Sequence, residues 1–205
     1  MLLQNDLQML GAGAGDARIA VGNIQGDAVP EIIMAPGRRT GTQINVYTIY
    51  EKSKGNDYSN DFYGLNPVPL KVITTVPGAV DPRPGINLAA ADMTGDGYDE
   101  IVSGSEISPN IKVIDPTKGY SLWAEITLNK RPNDIRNAYA NGVRVAARPG
   151  QVIAASGRGG AEVRIYSIDR IKYPDPLLPP ILQTFYPSKI NRFGTANPVK
   201  GLFAG

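Results

Sequence analysis

Four short sequence patterns recur three times, in the same order, along a chain of 205 residues. The first is a run rich in Ala and Gly, found as ARIAVGNIQ (17–25), GINLAAADMT (85–94) and GVRVAAR (142–148). The second follows a turn, as EIIMAPG (31–37), EIVSGSE (100–106) and QVIAASG (151–157). The third alternates apolar and polar residues, as QINVYTI (43–49), NIKVIDP (110–116) and EVRIYSI (162–168). The fourth closes each unit, as LKVITTV (70–76), SLWAEITL (121–128) and ILQTFYP (181–187). Repetition of one unit predicts a repeat architecture.

Alternation with a period of two in these runs indicates β-strands rather than helices. Four strands per unit, joined by turns, predict the antiparallel blades of a β-propeller. We therefore predict an all-β fold with about three four-stranded blades, at residues 15–78, 83–130 and 140–188, and the start of a further blade at 197–205. A plain β-sandwich with chance similarity between its strands is the alternative.

Aligning the units gives equivalent positions. Asn23 aligns with Asp92, and Asp92 with Arg148. The third strands align at three positions each: Ile44, Val46 and Tyr47; Ile111, Val113 and Ile114; Val163, Ile165 and Tyr166. The first strands carry small residues, namely Ala20, Gly22, Ala89, Ala90, Ala91, Ala146 and Ala147. Such residues fit innermost strands, which converge on the central channel. Differences in spacing are assigned to loops, above all to residues 51–67.

The composition removes several classes of function. The chain has neither Cys nor His, which excludes a thiol nucleophile, the usual zinc sites, a Ser-His-Asp triad and an imidazole base. The formal net charge is +2 and the basic residues are scattered, so no nucleic-acid-binding patch is predicted. No apolar run reaches the ~18 residues needed to span a bilayer. Residues 1–10 lack the features of a signal peptide.

The segment ADMTGDGYDEIVSG at 91–104 joins the first two strands of the second unit, and residues 23–31 join the same strands of the first. With the third strand of V-x-V-Y type, this arrangement resembles the FG-GAP/VCBS repeats of integrin alpha-subunit propellers. The resemblance covers residues 15–190. It implies four-stranded blades in a ring of about seven, calcium sites in the loop between the first two strands, and roles in adhesion, ligand recognition or assembly more often than catalysis.

Calcium takes six to eight oxygen ligands, which alternate residues of a tight loop can supply. The predicted Ca²⁺ ligands of the second unit are Asp92, Thr94, Asp96, Tyr98 (through its carbonyl) and Glu100. Gly97 allows the sharp bend. The family usually has Asp where Glu100 stands, so Asp99 is a neighbouring candidate. A turn rich in Asp and Gly that holds no metal is the alternative.

The other two units depart from this motif. A weaker second site is predicted at Asn23, Gln25, Asp27, Val29 and Glu31. Only two carboxylates remain there and Ala28 replaces the glycine, so this site is expected to be empty or replaced by side-chain hydrogen bonds. In the third unit the sequence Pro149-Gly150 suits a type II turn, and no site is predicted.

Other features have ordinary interpretations. The Gly-rich segments 36–41 and 156–160 are read as turns, because no helix follows to complete a phosphate site. Their arginines, Arg38, Arg39 and Arg158, would lie at one rim, where an anion- or glycan-facing patch is the less favoured alternative. Tyr47, Tyr166 and Trp123 are assigned to blade packing.

The function predicted from the repeats is a non-catalytic, secreted interaction, adhesion or assembly module, at the cell surface or otherwise extracellular. A carbohydrate-binding, lectin-like propeller is the alternative, and a polysaccharide-active enzyme is the third hypothesis. The expected partners are a protein or glycan ligand, without nucleic acid. Three blades fall short of the four to eight that close a propeller. We therefore expect completion by other copies, other chains or the remainder of a longer chain, with residues 2–10 as a strand of a preceding blade.

Overall fold

The computed structural model describes residues 16–27, 29–37, 43–51, 63–66, 68–74, 85–128, 141–157, 162–168 and 181–185. Within these ranges the regular elements are β-strands, and no helix occurs. Ala28, the three arginines of the predicted rim patch and the segments 2–10 and 197–205 lie outside the described residues.

Blade one is a four-stranded antiparallel sheet with an added hairpin. Its strands are β1 (Ala17–Gly22), β2 (Glu31–Pro36), β3 (Gln43–Tyr47), β4 (Ile49–Glu51), β5 (Tyr63–Leu65) and β6 (Lys71–Thr74). The sheet order is β1-β2-β3-β6, and β4 pairs only with β5 in a separate two-stranded sheet. The assignment of 51–67 to a loop is therefore wrong at both ends, because Glu51 and residues 63–65 are paired as strands.

Blades two and three repeat the same sheet. Blade two comprises β7 (Ile86–Ala91), β8 (Glu100–Ser105), β9 (Asn110–Asp115) and β10 (Ser121–Thr127). Blade three comprises β11 (Val143–Arg148), β12 (Gln151–Ser156), β13 (Val163–Ser167) and β14 (Ile181–Phe185). Both sheets follow chain order, and the ladders are antiparallel. The predicted all-β fold of about three four-stranded propeller blades is confirmed.

The ladders correct one sequence equivalence. Gly22 pairs with Glu31, and Ala91 pairs with Glu100, so these positions match as predicted. In blade three Gln151 pairs with Arg148, which makes Arg148 the equivalent of Ala91 and not of Asp92. The shorter turn of blade three causes this shift of one residue.

The first strands lie side by side, since β7 contacts both β1 and β11. Small residues permit this approach. A Cβ added to Gly22 would lie 2.7 Å from Ala90 Cβ, and one added to Gly104 would lie 2.8 Å from Val145 Cγ1. The interpretation of the small residues as a packing requirement therefore agrees with the structure.

Each blade has two faces, because successive side chains of a strand point to opposite sides of the sheet. Residues that are paired in a ladder lie on the same face. We call the face toward the following blade the forward face and the opposite one the rear face. The forward face of blade one consists of Arg18, Ala20, Ile33, Ala35, Ile44 and Val46. It packs on the rear face of blade two, formed by Leu88, Ala90, Ile101 and Ile114.

A second apolar core joins blades two and three. The forward face of blade two (Ala89, Ala91, Val102, Ile111 and Val113) packs on the rear face of blade three (Val143, Val145, Ala147, Val152, Ala154 and Tyr166). Blade two is thus covered on both sides, and the adjacent residues Ile101 and Val102 are both fully buried. Trp123 is buried in the same core, which confirms its predicted packing role.

Polar contacts also cross the first blade boundary. Arg18 donates to Glu106 Oε1 at 2.6 Å, and Lys71 Nζ lies 5.3 Å from the ring centroid of Tyr120. At the second boundary Asn87 Nδ2 donates to the Val143 carbonyl at 2.8 Å. Among the described residues, no helix is long and apolar enough to span a membrane.

Candidate functional site

Loop B (residues 92–99) joins the first two strands of blade two and is organised around Asp92. Its carboxylate accepts hydrogen bonds from the backbone N–H groups of Gly95 (2.6 Å), Asp96 (3.2 Å) and Gly97 (3.0 Å). Gly97 has a φ of 90°, as the predicted sharp bend requires. Asp92 therefore holds the loop closed through its own backbone.

Glu100 holds the other side of loop B from a fully buried position, with 0% of its surface exposed. Its Oε2 accepts from the Met93 N–H at 2.6 Å, and its Oε1 accepts from the Thr94 hydroxyl at 3.2 Å. Burial raises the pKa of Glu100 to about 7, and the bonds from Met93 and Thr94 oppose that rise while Asp96 adds to it. This carboxyl group cannot exchange a proton with a substrate in solvent, because no part of it is accessible.

Loop A (residues 23–30) of blade one uses the same design. Glu31 is 1% exposed, and its Oε2 accepts from the N–H groups of Ile24 (2.8 Å) and Gln25 (3.1 Å). The Gln25 side-chain amide donates to Glu31 Oε1 at 2.9 Å, which is the role of Thr94 in loop B. Asp27 accepts from the Val29 N–H at 3.0 Å, as Asp96 accepts from Tyr98 at 3.0 Å.

The two loops are also bonded to each other across the blade boundary. The Asn23 N–H donates to Asp99 Oδ2 (2.8 Å), the Asp99 N–H donates to the Asn23 carbonyl (2.9 Å), and Asn23 Nδ2 donates to the Gly97 carbonyl (3.1 Å). The Tyr98 ring lies against Gly26, where an added Cβ would be 2.5 Å from it. Loops A and B thus form one structure that joins two blades.

Sequence reasoning did not find this role of Asp99 and Tyr98. Asp99 was considered only as a metal ligand, and Tyr98 only for its carbonyl. It also missed Ile24 and Met93, which occupy the second position of each loop and are buried in the two inter-blade cores. An apolar residue at the same place in two otherwise polar loops was the available signal.

Blade three has no such loop. Arg148 and Gln151 are paired, with Pro149 and Gly150 as the turn between them, and Arg148 Nε donates to Gln151 Oε1 at 2.8 Å. The prediction of a tight turn in place of the loop agrees with this geometry. Tyr47 and Tyr166 are buried, as expected for packing.

The arrangement of loop B does not fit a calcium ion as it stands. Calcium requires several oxygens that converge on one point. No group of three or more acidic, His or Cys side chains that would hold a metal occurs among the described residues. Three amides engage Asp92, and Met93 and Thr94 engage Glu100, so binding would have to replace these hydrogen bonds. Calcium at Asp92, Thr94, Asp96, Tyr98 and Glu100, or at the weaker set in loop A, stays a prediction.

No protein-family model and no curated protein matches the chain. Three solved structures align with it. U3-55K shares 14% identity at a TM-score of 0.43, covering 84% of this chain and 43% of its own length. The RRP9 WD40 repeats share 14% identity at a TM-score of 0.43, and the match covers 84% of this chain and 42% of theirs. A chain of a mitotic checkpoint complex shares 9% identity at a TM-score of 0.28, and the match covers 82% of this chain and 65% of that one. The chain therefore spans less than half of the first two, and neither activity nor partner is carried over from them.

The predicted extracellular or cell-surface location is wrong by this comparison. The solved structures that align with the chain are of intracellular proteins. The secreted and cell-surface parts of the functional prediction are withdrawn with it.

Proposed function

We propose that the chain is a non-catalytic interaction and assembly module, built from repeats of the FG-GAP/VCBS type. Loops A and B support this assignment because each joins the first two strands of a blade, where that family places its characteristic loop. Each loop is also followed by an acidic residue, Glu31 or Glu100, at the same distance from the first residue of the loop.

The observation that carries the proposal is that the carboxylates in and beside loops A and B accept hydrogen bonds from the loops themselves. Acid–base catalysis needs carboxyl groups that reach a substrate. Glu31 and Glu100 are buried and bonded to loop donors, while Asp92 and Asp99 bond backbone amides. These residues brace loops and join blades, which is the chemistry of a scaffold.

The surface left for a partner is the rim formed by loops A and B. Asp27 and Asp96 are exposed there, and so is Val29. Acidic and apolar groups on a rigid rim suit a protein partner with a basic contact surface. No described residue set suggests a glycan pocket, so the lectin-like alternative becomes an outcome of the test.

The test is affinity capture with the full chain as bait, quantified by mass spectrometry, followed by binding measurements with the purified partner. We expect a protein that binds wild type and is lost with the double variant Asp27→Lys/Asp96→Lys. The control is Thr127→Lys, an exposed change on β10 outside the rim. Binding on a glycan array without protein capture would favour the lectin-like function, and turnover of a polysaccharide would contradict the non-catalytic assignment.

A further inference from the structure

The forward face of blade three repeats the forward face of blade one at five apolar positions of its first three strands, and differs at the loop end, where Arg148 and Gln151 stand in place of Gly22 and Glu31. The ladders place Ala146, Ile153, Ala155, Val163 and Ile165 on it. Their equivalents in blade one are Ala20, Ile33, Ala35, Ile44 and Val46, in that order. The two sets differ by one exchange of Ile and Val between neighbouring positions, which conserves the total side-chain volume. In blade one this face is buried against the next blade.

The match includes a charged residue. Arg18 lies on the forward face of blade one and crosses to Glu106 of blade two at 2.6 Å. Arg144 pairs with Ala155, as Arg18 pairs with Ala35, so it is the equivalent residue of blade three. The forward face of blade three thus carries both the apolar and the ionic elements of a face that already docks on a blade.

The rear face of blade one is the matching surface. It presents Ile19 and Val21, which are 60% and 56% exposed, next to the half-buried Ile32 and Met34. These residues are equivalent to Leu88, Ala90, Ile101 and Ser103, which form the rear face of blade two. Large exposed apolar residues clustered on one sheet face mark an interaction surface.

An acidic group lies beside the position of blade one that is equivalent to Glu106. Gly37 is the equivalent of Glu106, and the side chain of Asp16 lies directly against Gly37, whose N–H donates to the Asp16 carbonyl at 2.7 Å. The Asp16 side chain is 59% exposed, and its Oδ2 forms an ion pair with Arg18 Nη1 of the same blade at 3.7 Å. Blade one therefore has a carboxylate beside the position equivalent to Glu106, and this carboxylate pairs with Arg18 of the same blade.

We infer that two copies of this chain associate head to tail, with the forward face of blade three of each copy packed on the rear face of blade one of the other. This contact is heterologous, and two such contacts close a ring. The three blades that the described residues of each copy form make six, within the four to eight that close a propeller. The inference is independent of the rim proposed above for other partners.

The experiment measures association of the full chain by analytical ultracentrifugation. We expect wild type and the control Leu122→Lys, an exposed change on β10, to dimerise. Ile19→Lys disrupts the rear face of blade one, and Ile165→Lys disrupts the forward face of blade three. Each should raise the dissociation constant at least about tenfold. Thermal melting checks that both variants fold, and Gln183→Lys, exposed and opposite Ile165, is a milder second change on blade three.

Mixing the two variants identifies the geometry. The Ile19→Lys copy keeps an intact blade-three face and the Ile165→Lys copy keeps an intact blade-one face, so their mixture regains one of the two contacts and forms a heterodimer. A wild-type chain that stays monomeric up to about 0.1 mM would overturn the inference. It would equally be overturned if Ile165→Lys and Gln183→Lys, both folded, dimerise like wild type, or if the mixture forms no heterodimer.

Discussion

At the scale of single residues, the most informative group is the set of loop carboxylates. Asp92 and Glu100 were predicted as calcium ligands from their types and spacing. In the structure each accepts hydrogen bonds from donors of its own loop, so a calcium ion would have to compete with these donors. A sequence fixes which oxygens are available, but the direction in which each carboxylate points depends on competition between amide donors and an ion.

Calcium uptake is tested by calorimetric titration. The predicted ligand set requires that wild type binds calcium and that Asp96→Ala binds it at least about tenfold more weakly, because a carboxylate ligand is lost. Since hydrogen bonds already close the loop, we expect a chelator to lower the melting temperature only slightly. No heat of binding for wild type at millimolar calcium would contradict the metal site.

Gly26 provides a second test at this scale, because its backbone and its packing can be separated. Gly26 and Gly95 have similar positive φ values, 72° and 78°. A Cβ added to Gly26 would meet the Tyr98 ring, whereas one added to Gly95 would have no atom within 4 Å. Substitution of either glycine by Ala should lower the free energy of unfolding by about 1–2 kcal/mol, because Ala must adopt a left-handed backbone conformation there. Gly26→Ala must also displace Tyr98, so urea denaturation should show a larger loss of stability than for Gly95→Ala. Equal losses would mean that Tyr98 is not packed on loop A.

At the scale of elements, loops A and B connect blades as well as strands. Asp99 and Asn23 exchange two hydrogen bonds across the boundary, at 2.8 and 2.9 Å. These bonds join the sheets of blades one and two at one end, where the first strand of each blade leads into the second. The position of loop B relative to loop A is thus set by hydrogen bonds as well as by the apolar core below them.

Asp99→Ala should remove one of these bonds and leave the Asn23 N–H without its acceptor. We expect a loss of about 1–3 kcal/mol in the free energy of unfolding, measured in urea. Asp99→Asn keeps an acceptor oxygen at the same place and should lose much less. If the two variants are equally stable, the contact between the loops contributes nothing to stability.

The strands were predictable from the sequence, whereas the contacts between blades were not. Alternation and turn residues locate all three four-stranded sheets, because those signals depend on near neighbours in the chain. The hairpin of β4 and β5 was missed since residues 51–67 are mostly polar and show no alternation. The shift at Arg148 was missed because alignment follows residue similarity, while register follows the length of the turn.

At the scale of the whole molecule, the three blades are not equivalent. Blade two is covered on both faces, whereas blades one and three each bury one face against it. The sheets have the same strand order, so differences in stability between them reflect packing rather than topology.

Hydrogen exchange at low protein concentration should reveal this difference. Amides of β8 should exchange more slowly than those of β12, the matching strand of blade three, because opening β8 exposes two cores and opening β12 exposes one. Both strands are central in their sheets, which makes β12 a matched control. Equal protection would indicate that the chain opens only as one cooperative unit.

The order of the strands has a consequence for synthesis on the ribosome. Each sheet is made from strands that follow one another in the chain, apart from the β4–β5 hairpin inserted before β6, so each blade can form as soon as its fourth strand has emerged. The forward face of blade one, however, stays uncovered until β7, β8 and β9 have been translated, and that of blade two until β11 to β13 follow. Besides the rear face of blade one, the nascent chain therefore carries one uncovered forward face at each stage after blade one has formed. This face passes from blade to blade as translation proceeds and offers a binding site for chaperones.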